Sequence, residues 1–200
     1  MKAEARELVK QLWADPNHRR AIRLLIECVP TPRQLWDAEL VPRVRSLALP
    51  GLSLDDVSYY PKSASSPREI LFPCRVDLAD QADRFGVAYM LRCEDQTPDI
   101  GCEFTLRLVA WCESAAARKR VQRLQLDRMP PSSGIPKAWS NWEPIWTGGT
   151  YPLQDLTAGD AAGLARLLQD GVQQTYAVLT AAVAEANGAG GSPRSGQKAR

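Results

Sequence analysis

Side chains suited to acid–base or metal chemistry are few and scattered along this chain. His18 is its only histidine, which excludes zinc sites built on two histidines. A catalytic triad or a Cys-His pair would have to use His18. The sequence places it in the first turn of a predicted helix among arginines, and we do not expect a catalytic role for it. The glycines form neither the dinucleotide-binding pattern nor the P-loop pattern, so no phosphate-binding loop is indicated.

The acidic and sulfur-bearing residues likewise do not indicate a metal or catalytic site. Asp77, Asp80 and Asp83 are spaced three apart, so one helical turn could gather them around a divalent cation. A calcium loop, however, uses alternate residues as ligands, and we interpret this stretch as a solvated loop. The five cysteines are irregularly spaced without C-x-x-C, and we predict reduced, buried thiols. We therefore predict no catalytic residue, no metal site and no cofactor, and do not expect an enzyme.

Basic side chains are concentrated in SAAARKRVQRLQLD, a predicted helix capped by Ser114. Spacings of three and four residues place several of them on one face, which could contact phosphates. The alternative is a solvated face balanced by the acidic segment before it. An N-terminal arginine group could extend the patch if the two helices are neighbours. The candidate binding residues of this kind are Arg118, Lys119, Arg120, Arg123, Arg19, Arg20 and Arg23.

The segment WSNWEPIW, residues 139–146, holds three of the six tryptophans. Exposed indoles could stack on bases, at about 1–3 kcal/mol per base. Trp139, Trp142 and Trp146 lie at i, i+3 and i+7, the spacing of one side of a short helix, but Pro144 would interrupt that helix. We therefore favour interior packing or an intramolecular lid. A protein-partner surface and a ligand platform are the alternatives.

These residues must be positioned by helices at both ends of the chain and a sheet between them. AEARELVKQLWA has an apolar stripe at helical spacing. Asp15-Pro16 and Thr31-Pro32 each combine a cap with a proline at the first helical position, which predicts a second and a third helix. Pro42 is expected to kink or end the third. Near the other end, Thr157 is predicted to cap a long closing helix.

Between these helical parts the apolar period changes to two. RFGVAYMLRCE and CEFTLRLVAWCE alternate in the manner of strands. In the second, Val109 and Trp111 fall on the face opposite the main apolar side chains. Pro73 marks an edge strand or a bulge, and a short strand is expected at Pro144–Thr147. We predict an antiparallel meander with one face under helices and the other partly wet.

Together these elements predict a single α+β domain over residues 1–187. It comprises a helical part at 1–50, a sheet of three to five antiparallel strands at 56–113, a C-terminal helical part at 114–187, and a disordered tail at 188–200. No apolar run approaches the roughly 18 residues that span a bilayer, and the amphipathic start is not a signal peptide. We expect a cytoplasmic protein without membrane association.

Residues 84–185 resemble the C-terminal portion of bacterial proteins of the PD-(D/E)XK nuclease superfamily. The shared features are FGVAYMLRC, CEFTLRLVAWC, AARKRVQRL, PKAWSNWEPIW and DLTAGDAAGLARLLQDGV. Those nucleases hold a metal with an aspartate and an acid-x-lysine triplet. Here Asp99 precedes Glu103-Phe104-Thr105, with Thr105 where the lysine should stand, and Glu69-Ile70-Leu71 departs in the same way. The resemblance implies an inactive or truncated relative that binds rather than cuts.

We therefore predict a non-enzymatic interaction module that binds a protein partner in a bacterial assembly. The resemblance alone suggests a mobile element or antiviral defence. The alternatives are a nucleic-acid-binding protein that uses the basic helix 115–128, and a degenerate nuclease relative. The net charge of +2 is too small to indicate nucleic-acid binding by itself.

Overall fold

A five-stranded antiparallel sheet forms the centre of the computed structural model. The model describes residues 2–28, 30–76, 85–94, 101–134, 138 and 140–189, with the backbone alone at 2–6, 25–28, 188 and 189. Helices at the N-terminus and one long helix at the C-terminus accompany the sheet, which confirms the predicted α+β class. Among the described helices, none is long and apolar enough to cross a bilayer.

The elements follow one another in simple order. The helices are α1 (Lys2–Ala14), α2 (Pro16–Cys28), α3 (Pro32–Leu35), α4 (Val41–Ser46), α5 (Ala115–Gln122) and α6 (Ala158–Ala189). The strands are β1 (Ser58–Tyr60), β2 (Glu69–Cys74), β3 (Phe85–Cys93), β4 (Glu103–Cys112) and β5 (Trp142–Pro152). Each strand pairs with the next along the chain, so the sheet order is β1-β2-β3-β4-β5. The last strand is longer than the predicted one, and the sheet therefore extends beyond residue 113.

The helix that begins at Pro32 continues past Pro42 instead of ending there. Thr31 and Gln34 form a capping box, with the Thr31 hydroxyl accepting from the Gln34 N–H at 3.3 Å and the Gln34 side chain accepting from the Thr31 N–H at 2.8 Å. A π-helical turn, Trp36–Leu40, follows α3 and closes with a hydrogen bond from the Val41 N–H to the Trp36 carbonyl. The π-helical turn lies directly before Pro42, and its wider winding accommodates a residue that has no N–H to donate within a continuing helix.

Alternation along the strands separates two apolar clusters on opposite faces of the sheet. The inner face carries Tyr89, Leu106 and Leu108, which pack with Leu164 and Val172 of α6 in the main core. A buried hydrogen bond of 2.9 Å joins the Tyr89 hydroxyl to that of Thr175 in α6. The smaller cluster, on what we call the outer face, consists of Leu71, Ala88, Met90 and Val109, with Trp142 packed against it. The two-faced sheet follows the predicted alternation.

Pro73 is accommodated in a strand with neighbours on both sides. In an antiparallel ladder the N–H and C=O of one residue point to the same side. The Pro73 carbonyl accepts from the Ser53 N–H at 2.8 Å, on the side where β1 would lie. The pairing of β1 with β2 stops at Ser58 and Leu71, so Pro73 leaves no sheet hydrogen bond unmade there.

The closing helix α6 begins at an acidic N-terminal motif. The hydroxyl of Thr157 accepts from the Gly159 N–H at 3.2 Å, as predicted for a cap. Asp160 is buried and accepts from three backbone N–H groups, those of Gln154 at 2.9 Å, Asp155 at 3.1 Å and Thr157 at 3.0 Å. Burial opposes ionisation of Asp160, but these N–H groups outweigh it and hold its pKa below the usual value. The motif fixes the start of α6 against the preceding turn.

The N-terminal helices stand apart from this core. Helices α1 and α2 pack mainly on each other, and the guanidinium of Arg23 lies 5.9 Å from the ring centre of Trp13. Three apolar side chains of the pair, Leu8, Val9 and Leu24, are more than half exposed. The predicted disordered tail, 188–200, overlaps the end of α6, which runs to Ala189. Residues 190–200 lie outside the described residues.

Candidate functional site

A groove of about 590 Å³ runs across the outer face of the sheet. The floor is formed by small or apolar residues of the neighbouring strands β2 and β3, namely Leu71, Pro73, Gly86 and Ala88. The described helices that pack on the sheet contribute to the main core of the inner face. The groove is therefore built by the strands themselves, with residues that alternate with those of the core.

Two tryptophans form the wall at one end of the groove. Trp111 of β4 and Trp142 of β5 are paired across the strands, and their rings meet edge to face with centroids 5.0 Å apart and planes at 70°. Both side chains are only partly buried. Edge-to-face packing holds the two rings rigid relative to each other, so they offer a fixed apolar surface to an occupant.

A bulge in β5 explains why this segment serves both faces of the sheet. Val109 pairs with Pro144 and Leu108 pairs with Trp146, so Ile145 is the extra residue. In a bulge of this kind two residues oppose one, and the alternation shifts by one position. Ile145 and Trp146 consequently both lie in the inner core, whereas Trp142 lies on the outer face.

Gly86 leaves free space in the groove floor, because it has no side chain. It lies exposed in β3 opposite Trp111, and its φ is not in the left-handed region. A Cβ built there would meet only the Cβ of Trp111, at an ordinary 3.9 Å. The backbone therefore does not require glycine at this position. The missing side chain leaves space beside the Trp111 ring. Glycine also has a low strand propensity, so it lowers the stability of β3.

Charged side chains line the other end of the groove. Lys62, Arg68 and Arg92 lie there with the carboxylate of Glu69 and the ring of Tyr60, which is 53% exposed. Arg92 forms an ion pair with Glu69 at 2.9 Å. Burial raises the pKa of Glu69, although the adjacent arginines act against this shift.

The same network extends along the outer face beyond the groove. Arg92 also lies 3.5 Å from Glu94, and Arg107 donates a hydrogen bond to the same carboxylate. Burial lowers the pKa of Arg107, and Glu94 partly offsets this. Two arginines thus share two carboxylates, and the Glu69 carboxylate is held in an ion pair.

A helix is present where the basic helix 115–128 was predicted, but α5 ends at Gln122. The basic side chains of this region do not form one continuous cationic surface. Arg118 lies 3.2 Å from Glu143 and donates to the Ser140 carbonyl at 2.6 Å. Arg120 donates to the side chain of Asn187 in α6 at 2.6 Å. Lys119 and Arg123 remain exposed. Part of this basic group therefore joins α5 to β5 and α6.

The N-terminal arginines lie elsewhere in the fold. Arg20 and Arg23 are exposed on α2, and Arg19 is partly buried. Among the described elements, α2 packs mainly on α1 and forms no packed pair with α5. The two basic groups considered from the sequence are thus on helices that the structure does not pack together.

The three tryptophans of WSNWEPIW are placed differently from one another. Trp146 is 4% exposed, and its indole N–H donates to the Pro130 carbonyl at 3.2 Å. Trp142 forms the groove wall, and Trp139 lies outside the described residues. One segment therefore supplies a core residue and a surface residue. The three rings do not lie along one side of a helix, because the segment from Trp142 onward forms strand β5.

The acidic residues considered for metal binding are not gathered by the described part of the chain. Asp77, Asp80, Asp83 and Asp99 lie outside it. Glu103 is exposed at the start of β4. Four cysteines, Cys74, Cys93, Cys102 and Cys112, are buried and free. Within the described ranges, no group of three histidine, cysteine, aspartate or glutamate side chains is arranged to hold a metal ion.

Comparison of the chain with protein-family models, with curated proteins and with solved structures finds no significant match. The groove has to be interpreted from its own geometry.

Sequence reasoning did not select most residues of the groove. Only Trp142 was among the predicted binding residues, whereas Gly86, Trp111, Lys62 and Arg68 were not. One signal was present in the alternation of β4. Trp111 falls on the face predicted to be partly wet, where a large aromatic side chain is unusual enough to suggest a contact surface.

Proposed function

We propose that this chain is a non-enzymatic binding module that holds a segment of a partner protein in the groove of the outer face. We also propose, following the expectations from the sequence, that it acts in the cytoplasm and, as the resemblance implies, in a bacterial assembly. The observation that carries the proposal is the groove itself: an apolar floor, a rigid tryptophan wall and a charged far end on the sheet face opposite the main core.

The dimensions of the groove favour an extended segment of polypeptide. Gly86 and Arg92 lie at opposite ends of it and six residues apart on β3, which corresponds to about 20 Å along a strand. An extended chain covers this length with about six residues. The volume lies within the roughly 300–1,000 Å³ typical of ligand sites, and aromatic anchors such as Trp111 and Trp142 are characteristic of protein–protein hot spots.

The charged end supports binding more than catalysis. A general acid or base must be free to exchange a proton with the substrate. Glu69, the one carboxylate that lines the groove among the residues that the structure describes, is instead held by Arg92 at 2.9 Å. Such an arrangement keeps charges fixed in place, which suits recognition of a complementary group.

A substitution that fills the groove without damaging the fold tests the proposal. Gly86→Val places a β-branched side chain beside Trp111, where the backbone permits it, and strand propensity should rise by up to about 1 kcal/mol. Thr150→Val is the matched control, since Thr150 is an exposed strand residue outside the groove, paired with Thr105 of the outer face.

The experiment is to pan a random peptide library on the full chain and to measure affinities of the recovered peptides by fluorescence anisotropy. We expect Gly86→Val to weaken binding at least tenfold while unfolding no earlier than the wild type. Thr150→Val should bind as the wild type does. The proposal is overturned if no peptide is enriched, or if the recovered peptides bind Gly86→Val as tightly as the wild type.

A further inference from the structure

The two ends of the groove differ in charge. The tryptophan end is lined by Trp111, Trp142, Gly86 and the neutral Ser140, and no charged side chain lines it among the described residues. The opposite end brings together three cations and one carboxylate, Lys62, Arg68, Arg92 and Glu69. The charged end therefore carries a net positive charge, while the other end is neutral and apolar.

Two of these cations remain available to an occupant. In the described part of the chain, neither Lys62 nor Arg68 takes part in an ion pair. The charge of Arg68 does act on Glu69, where it opposes the rise in pKa that burial causes. Arg92, in contrast, is bound by Glu69 and Glu94. Lys62 is exposed and Arg68 partly buried, so both are at the rim of the groove. Rim cations of this kind favour an anionic partner.

We propose, building on the binding function proposed above, that the partner segment is an extended acidic peptide with one apolar anchor. The apolar or aromatic side chain packs against Trp111 and Trp142. One or two carboxylates lie about six positions away along the peptide, near Lys62 and Arg68, because about 20 Å separates the two ends. Alternate side chains of an extended peptide face the same way, and an even spacing lets both groups point into the groove.

The same charge distribution distinguishes this occupant from single-stranded nucleic acid. Proteins that bind single strands combine stacked aromatic rings with positive charges that follow the phosphates along the whole groove. Here the tryptophan end has an apolar lining, and Arg118, which donates to the carbonyl of the groove residue Ser140, is paired with Glu143. A ligand with charge at one end alone matches the groove better than a uniform polyanion.

The test compares each recovered peptide with a variant in which its acidic residues are replaced by the corresponding amides. Binding is measured on the wild type and on the double variant Lys62→Gln, Arg68→Gln, with Thr150→Val as the control and circular dichroism to check folding. We expect the acidic peptide to bind the wild type about 5- to 30-fold more tightly than its amide form, a preference that weakens at high salt. The double variant should lose this preference and still bind the amide peptide.

The possible failures separate the two proposals. Equal affinity of acidic and amide peptides for the wild type, or retention of the preference by the double variant, overturns the charge inference but leaves the groove as a peptide site. Equal binding by Gly86→Val overturns the site itself. If a single-stranded oligonucleotide displaces the acidic peptide and loses affinity in Gly86→Val, the occupant is a nucleic acid and the inference is wrong.

Discussion

Replacing Trp146 with alanine should destabilise the chain far more than the same change at Trp142, although the two lie four residues apart. Trp146 is 4% exposed and packs in the main core. Truncation of a buried tryptophan or phenylalanine to alanine costs about 3–5 kcal/mol. The change also removes the donor for the Pro130 carbonyl, 3.2 Å away, which adds about 1 kcal/mol. We expect a loss of about 4–6 kcal/mol, a large part of the 5–15 kcal/mol typical of a whole domain.

The expected loss at Trp142 is smaller because its ring is partly exposed and lies on the outer face. If about 80 Å² of apolar surface returns to water on truncation, the loss is about 2 kcal/mol at roughly 25 cal/mol per Å². The measurement is urea unfolding followed by far-UV circular dichroism, with the dependence on urea fitted separately for each variant. Trp146→Phe serves as the control, since it keeps most of the packing and loses the N–H.

The comparison tests the bulge directly. Without the extra residue at Ile145, Trp142 and Trp146 would fall on the same face of β5 and their truncations would have similar effects. A free-energy loss at Trp142 that equals or exceeds the loss at Trp146 would show that the bulge and the assignment of the two rings to opposite faces are wrong.

Three further predictions concern other parts of the fold. Asp160→Asn should lower the free energy of unfolding by about 1–2 kcal/mol at neutral pH. Because the pKa of Asp160 is depressed in the folded state, the contribution of its carboxylate is present above the unfolded pKa of about 4 and is lost on acidification. The difference in urea unfolding between wild type and variant should therefore shrink below that pH, and a constant difference would contradict this. Gly171→Ala should lower the unfolding temperature even though alanine favours helices by about 1 kcal/mol, because a Cβ there has no room beside Leu106 and lies 3.5 Å from Trp146; a higher unfolding temperature would refute the close packing. The double variant Lys119→Gln, Arg123→Gln should bind the recovered peptides as the wild type does. If the wild type instead causes a salt-dependent mobility shift of an oligonucleotide and this variant does not, the basic helix is favoured as the binding surface.

The sheet and its helices were predictable because each depends on local pattern. The alternation in β3 and β4 specifies strand pairing and faces without reference to the rest of the chain. Whether the helix ends at Pro42 or continues past it could not be predicted from local pattern. The sequence shows a residue without an N–H, but whether a π-helical turn absorbs it depends on the packing of Trp36, which lies fully buried against Phe104. Tertiary packing decides such cases.

The groove was largely beyond sequence reasoning for a related reason. Its tryptophan end is formed by pairing between residues distant along the chain, Trp111 with Trp142. Lys62 and Arg68 flank β1 and β2 in a loop that has no periodic pattern. The bulge at Ile145 reverses the faces of Trp146 and Thr147, and a second irregularity between Thr147 and Thr150 restores the alternation. A bulge leaves no reliable mark in a single sequence. A prediction from spacing alone therefore assigned all three tryptophans to one environment.

The outer face departs from the ordinary requirements of a strand at several positions, and these positions coincide with the groove. Gly86 weakens a central strand although nothing in the backbone requires it. Trp111 keeps a large apolar ring partly exposed to solvent. Glu69 is buried, at 5% exposure, and burial raises its pKa, the direction expected when a charge is removed from water. Three departures of this kind around one groove are consistent with selection for binding rather than for stability there.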